Sequence, residues 1–357
     1  MGESAPGELH CAACGALGGA GDVVLDLGPV PAADDFPLPD APVPDALHPL
    51  AMWLCPACGL AQLAEDDTAA EEPLAVEPQA LRDQAAIAVD LVTAAYPGAR
   101  SVVEFGSPHG GSWLSLLRPY GWLDAEERAD VVVDTFGLMH EPDQAAAIRE
   151  RADRLADDGV LLLLFHSLAT IVEQGQWSSL RHGHTGYYSL TALGTLLGQV
   201  GLAPATVWEF DLYGGTVLLA ASRDAVPDEW VSAMLEREAR IGVTDATALR
   251  SLQQAADAET DALAEALAGG SWYAYGAASR AVAVLHRAGA TPDRLLAVAD
   301  ASPGKQGRTM PGTRVPIVSP TELVAADPER VWLLLPDLAR EVGHALPSLE
   351  GRWAAPC

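Results

Sequence analysis

Hydrophobic positions along this chain fall into short continuous runs separated by amphipathic stretches, the pattern of doubly covered strands alternating with helices. Between residues 76 and 225 the runs are SVVEFG, ADVVVDTFG, VLLLLFH and TVLLAAS, and their order predicts a parallel α/β sheet. From Glu229 to Ala268 the chain is charged and alanine-rich, with an apolar spacing that suits one or two connecting helices. A second, smaller α/β unit follows, with SWYAYGA as strand and turn, AVAVLHRAG as helix, and LLAVAD and RVWLLLP as further strands. The first 75 residues differ. They hold short apolar pieces among prolines and cysteines and close on AEDDTAAEEP, which reads as a linker. Three units result, covering 1–75, 76–225 and 226–357.

Composition narrows the class. The chain has 357 residues, 49% hydrophobic and 20% charged, the balance of a globular protein of more than one domain. Its longest apolar run, Val160 to Phe165, is far too short to span a bilayer. A net charge of −28 argues against nucleic acid and anionic membrane surfaces as partners, and any anionic ligand would need a local cationic pocket. Lys305 is the only lysine.

The start, MGESAPGELHC, lacks the basic and apolar segments of a signal peptide, so a reducing, cytoplasmic setting is expected. There, clustered cysteines point to metal. The pairs CAAC and CPAC offer Cys11, Cys14, Cys55 and Cys58, four soft ligands for one tetrahedral zinc. A site closed by four thiolates leaves no position for water, so the zinc is expected to be structural. Cys357 is read as incidental.

With these residues in view, the chain resembles the zinc-containing, S-adenosylmethionine (SAM) dependent C-methyltransferases that modify nucleotide-linked keto-sugars in antibiotic pathways. CAAC, LDLGPVP and LCPACGLAQL look like that family's zinc lobe, VEFGSPHG its SAM loop, and DTFGLMHEPD its strand ending in a His and an acid. RHGHTGYYSL looks like its catalytic segment. YGAASR, VADASPGKQGRTMPGTRVPIVSP and WLLLPDLAREV are similar to its last domain. The resemblance implies a zinc lobe, a class I methyltransferase-like (Rossmann-like) parallel sheet and a C-terminal α/β domain. It also implies SAM contacts at Glu104, Gly106 and Gly110.

The departures lie at the chemistry. Pro108 and His109 stand where the family has Asn and Asp. After one helix and the short link LDAEER the chain enters ADVVVD, so roughly thirty-five residues are missing, and the second strand with its ribose-binding acid is expected to be among them. The family's Tyr-His-Glu-His reads Arg181, His182, Gly183 and His184. His184 keeps the position of the base, and an arginine beside it would stabilise an enolate or hold an anion. The family's Gly-Gly-Ser with a trailing Arg reads Gly214, Gly215, Thr216 and Leu218. His109, His140 and His166 fall at or just past strand ends and are expected to line the pocket.

Candidate site residues are therefore His184, Arg181 and His182 for catalysis, with Tyr187, Tyr275, Arg280, Lys305 and Arg308 for substrate. Lys305, amid so much negative charge, suits phosphate binding or domain docking. Three functions follow in order. The first is a tailoring enzyme that has lost SAM and performs His-based proton transfer (isomerisation, elimination or cyclisation) on a carbonyl-bearing natural-product intermediate. The second is a SAM-dependent C-methyltransferase acting on a nucleotide-linked keto-sugar. The third is a non-catalytic scaffold.

Overall fold

A computed structural model describes residues 9–41, 44–68, 76–106 and 111–354. In the N-terminal lobe β1 (Val23–Pro31), β2 (Leu47–Leu54) and β3 (Ala61–Leu63) pair antiparallel. A sheet this small cannot bury a core by itself. Its Leu25 and Met52 join Leu252, Ala256, Val298 and Trp332 from the C-terminal third in one hydrophobic cluster. The lobe thus folds onto the C-terminal domain.

The middle unit begins with helix α1 (Gln79–Ala95), whose Ala85, Ala88, Val89 and Val92 recur at helical spacing and are buried. Four parallel strands follow: β4 (Ser101–Gly106), β5 (Leu123–Asp124), β6 (Ala129–Thr135) and, after helix α2 (Gln144–Asp153), β7 (Leu155–His166). An antiparallel pair, β8 (Ala203–Phe210) and β9 (Thr216–Ser222), completes a sheet of order β8-β9-β7-β6-β4-β5. Side chains alternate between its faces. Val131, Val133, Leu162 and Leu164 pack under α1, while Val132, Leu161 and Leu163 pack with Ile148 and Leu193 on the other side.

One expectation is corrected here. The second strand is present, as the two-residue β5, parallel to β4 with Val102 opposite Asp124. It stays low for a geometric reason. Only residues 125–128 separate β5 from β6, and a parallel strand that climbed to the carboxyl edge would need about a dozen residues to return. Asp124 is level with Val102 while β4 continues to Gly106, so that acid lies about 13 Å below the edge where ligands sit.

Helix α3 (Ser251–Ala268) leads into five parallel strands of order β12-β11-β10-β13-β14. These are β10 (Trp272–Tyr275), β11 (Leu295–Ala299), β12 (Ile317–Val318), β13 (Val331–Leu333) and β14 (Trp353–Ala354), with helix α4 (Ser279–Arg287) after β10. Among the described residues no helix is long and apolar enough to cross a membrane.

Candidate functional site

The four cysteine sulfurs of the N-terminal lobe converge. Cys11 and Cys58 sulfurs are 3.5 Å apart, Cys14 and Cys55 sulfurs 3.6 Å, and all four lie within 4.8 Å of one another. Zn–S bonds of about 2.3 Å put tetrahedral sulfurs about 3.8 Å apart, so the set fits one ion. The Gln62 side-chain amide and the Ala13 N–H both donate to the Cys11 sulfur, at 3.3 and 3.4 Å. The Cys58 thiol, the largest influence, and these donors lower the pKa of the Cys11 thiol.

Gln62 carries that order into the middle unit. The two-residue strand Gly186–Tyr187 adds to the lobe's sheet beside β3, with Gly186 opposite Gln62 and Tyr187 opposite Ala61. The segment RHGHTGYYS is thus sewn to the N-terminal lobe on one side. On the other, Thr185 N–H donates to Met139 C=O at 2.7 Å, just past the end of β6. That turn is itself locked. Asp134 and Arg151, each 1% exposed, form a 2.9 Å ion pair, and the Leu138 N–H donates to Asp134 at 3.0 Å. Phe136 takes φ +65°, and a Cβ on Gly137 would meet the Gly106 carbonyl at 2.9 Å. Strand β6 therefore delivers His140 at the carboxyl edge.

Within the segment, Arg181 and His184 are brought together. Arg181 Nε donates to His184 Nε2 at 2.8 Å, with Nη2 also in contact. The Arg181 N–H donates to the Tyr187 hydroxyl at 3.0 Å, and the Gly183 N–H donates to Asp66 at 2.6 Å. Gly183 itself sits at φ +79°. Tyr187 is 2% exposed, and its hydroxyl holds the Arg181 backbone. His140 Nδ1 donates to the Gly183 C=O at 2.8 Å, and its ring meets that of His184 edge-on at 4.8 Å. His182 points elsewhere: its Nε2 donates to the Pro49 C=O at 3.1 Å on β2.

The C-terminal candidates divide. Arg280 pairs with Asp337 at 2.6 Å, and its guanidinium carbon lies 5.7 Å from the centre of the Tyr213 ring. Lys305, 4% exposed, donates to the Ala277 C=O at 2.7 Å and rests 4.6 Å from the Phe36 ring. Arg308 donates to the Phe36 C=O at 2.7 Å. Both contacts with Phe36 cross from the C-terminal domain to the N-terminal lobe. Tyr275 packs edge-on against Trp353 at 5.9 Å, and burial pushes its phenol up to about 12.

Sequence reasoning missed Tyr213, which follows β8 with φ +55°, and Asp134, whose charge inside an apolar run was the available signal. Burial pulls the His166 imidazole down to about 4, and its Nε2 has no hydrogen-bond partner among the described residues.

For SAM, β4 ends in Gly106 and the chain resumes at Gly111, φ +89°, with Pro108, His109 and Gly110 outside the described residues. Both Glu104 carboxylate oxygens are engaged by this turn, from the Ser112 hydroxyl at 2.6 Å and the Trp113 N–H at 2.5 Å. On the ribose side, Asp124 is too low to serve.

Residues 80–207 match the family model of a methyltransferase domain, and residues 211–355 that of the C-methyltransferase C-terminal domain. The C-methyltransferase NovU of Streptomyces niveus is 28% identical over 213 residues, 57% of this chain and 51% of that protein. The chain thus spans about half the length of the curated relative it matches. Magnesium protoporphyrin IX methyltransferase from Synechocystis, solved with bound SAH, is 15% identical and covers 41% of this chain and 86% of its own, at a TM-score of 0.31. The 1,6-didemethyltoxoflavin-N1-methyltransferase of Burkholderia thailandensis is 16% identical, covering 46% and 96%, also at 0.31. Likeness that remote does not speak for chemistry.

Proposed function

We propose that this chain is a SAM-dependent C-methyltransferase acting on a carbonyl-bearing small molecule, with a nucleotide-linked keto-sugar as the substrate class; the matches to the methyltransferase domain and to the C-methyltransferase C-terminal domain support the reading. The observation that carries the reading is His184 beside Arg181 at the carboxyl edge of the sheet. His184 Nε2 takes the proton next to the carbonyl, and the Arg181 guanidinium, released from the imidazole, turns to the enolate oxygen. His140 holds the Gly183 carbonyl and so fixes the turn that presents the base. SAM, when bound, supplies an electrophilic methyl group, and Gly106 and Gly110 would hold it. The four-cysteine cluster would hold a structural zinc that keeps Gln62, and through it the catalytic segment, in register.

The family matches favour methyl transfer over the SAM-independent isomerase, lyase or cyclase that the shortened middle unit predicts. That second reading keeps one observation in its support, the early end of β5. Calorimetry of the full chain with SAM and with its demethylated product separates the two. Micromolar binding is expected; no heat with either compound would transfer the case to the SAM-independent enzyme.

A further inference from the structure

We propose that Tyr213 is a further catalytic residue, its hydroxyl donating a hydrogen bond to the carbonyl oxygen of the substrate whose neighbouring proton His184 removes. The inference rests on the reading of His184 as base and adds the group that meets the oxygen.

Place is the first argument. Tyr213 lies in the turn between β8 and β9, and Thr216, the first residue of β9, is opposite His166, the last of β7. The turn therefore sits at the same carboxyl edge as His140. Conformation is the second. Tyr213 holds φ +55° and ψ +28°, a region that costs a bulky side chain about 1 kcal/mol or more. The surroundings enforce it: Gln176 donates to the Tyr213 C=O at 3.2 Å and Gln174 to the Gly214 C=O at 2.8 Å. A Cβ on Gly214 would lie 2.1 Å from the Gln176 amide, so the turn has no room to relax.

Surroundings are the third argument. The ring lies near the Arg280 guanidinium, and the charges of both Arg280 and Arg181 act on the phenol. Arg181 also bonds His184, so base and phenol share one cationic neighbour. The Tyr213 hydroxyl bonds to no described residue, and burial favours its protonated form, which leaves a donor ready. A tyrosine kept only for packing would need neither the left-handed backbone nor the hydroxyl.

The chemistry closes. His184 Nε2 takes the proton, the C–H electron pair becomes the C=C bond, and the carbonyl π pair moves onto oxygen, where Tyr213 and Arg181 hold it. In heavy water the imidazolium exchanges its proton and returns a deuteron to carbon.

The test is deuterium uptake by a nucleotide-linked keto-sugar in heavy water without SAM, read by mass spectrometry with the full chain. Wild type should exchange, His184→Ala should fall to background, and Tyr213→Phe should slow roughly 30- to 100-fold with KM changed less than about threefold. Exchange by Tyr213→Phe within twofold of wild type overturns the inference and leaves His184 untouched. No exchange by wild type sinks the reading of His184 and this inference with it. Should Tyr213→Phe fail to fold, Tyr213→Asn carries the test, since it tolerates that backbone but is too short to reach the carbonyl oxygen. The folded Asn variant is expected to slow by the same roughly 30- to 100-fold, and exchange within twofold of wild type would overturn the inference.

Discussion

Arg181 Nε donates to His184 Nε2 across 2.8 Å, so the guanidinium covers the lone pair that a general base must use. On the proposed reading of His184 as base, the resting site is self-blocked, and a substrate carbonyl would have to draw the arginine away before the imidazole is free. Removing Arg181 uncovers the base and also removes the charge that meets the enolate. The second effect is the larger, because a donor aimed at developing oxyanion charge contributes roughly 10²–10³ in rate. Arg181→Met is therefore expected to lower turnover about a hundredfold while substrate-independent features such as the melting midpoint stay within a few degrees. An Arg181→Met enzyme as fast as wild type would mean that the guanidinium only shields the histidine.

The metal lobe should matter to turnover as well as to folding. Gln62 bonds the Cys11 sulfur and faces Gly186 across the sheet, so the cysteine cluster and the catalytic segment share one strand. A metal measurement on the purified chain should give one zinc per molecule. Stripping it with a chelator, or Cys55→Ser, should lower the thermal midpoint by roughly 10 °C or more and abolish activity together. Full turnover from metal-free protein would show that the segment holds its register without the lobe.

Some of this was legible in the residues and some was not, for physical reasons. VLLLLFH announces a strand buried on both faces, and it is β7. CAAC and CPAC announce four thiols drawn to one point, and their sulfurs do converge. Strand β5 gives no such signal. Two exposed residues in LDAEER carry no periodicity, and only their hydrogen bonds to β4 define them. The docking of Gly186–Tyr187 onto the N-terminal lobe is equally silent, since pairing over more than a hundred residues leaves no local mark. Lys305 drew notice as the lone lysine, yet whether it faced a phosphate or the Phe36 ring was a question of tertiary packing.

The buried pair under the His140 turn offers a stability prediction. Asp134 and Arg151 are both 1% exposed and 2.9 Å apart, and Arg151 also reaches Glu141 at 3.1 Å. Removing one partner leaves a charge without water or counter-ion, at a cost of about 3–5 kcal/mol. Arg151→Met is expected at that level in urea unfolding. The double variant Asp134→Asn with Arg151→Met should recover a good part, because no bare charge remains. Simple additivity of the two losses would show that the pair is not coupled.

His166 gives the pH dependence. Burial first, and the Arg280 charge second, lower its pKa from 6.5 to about 4, while a hydrogen bond with Gln176 and then the Asp337 charge pull the other way. The folded chain therefore holds a neutral imidazole where the unfolded chain takes up a proton. For a group with a depressed folded pKa, its contribution is fully present above 6.5 and is lost as pH falls toward 4. The loss across that window is on the order of 3 kcal/mol. His166→Gln fills similar space without titrating, so its urea midpoint should change less between pH 7 and pH 4 than that of wild type. The two curves should lie close at neutral pH, where both side chains are uncharged, and separate in acid, with the variant the more stable. Curves that stay parallel would assign the acid sensitivity of the fold to its carboxylates instead, since unfolded carboxylates that are charged at pH 7 also titrate toward the bottom of this range.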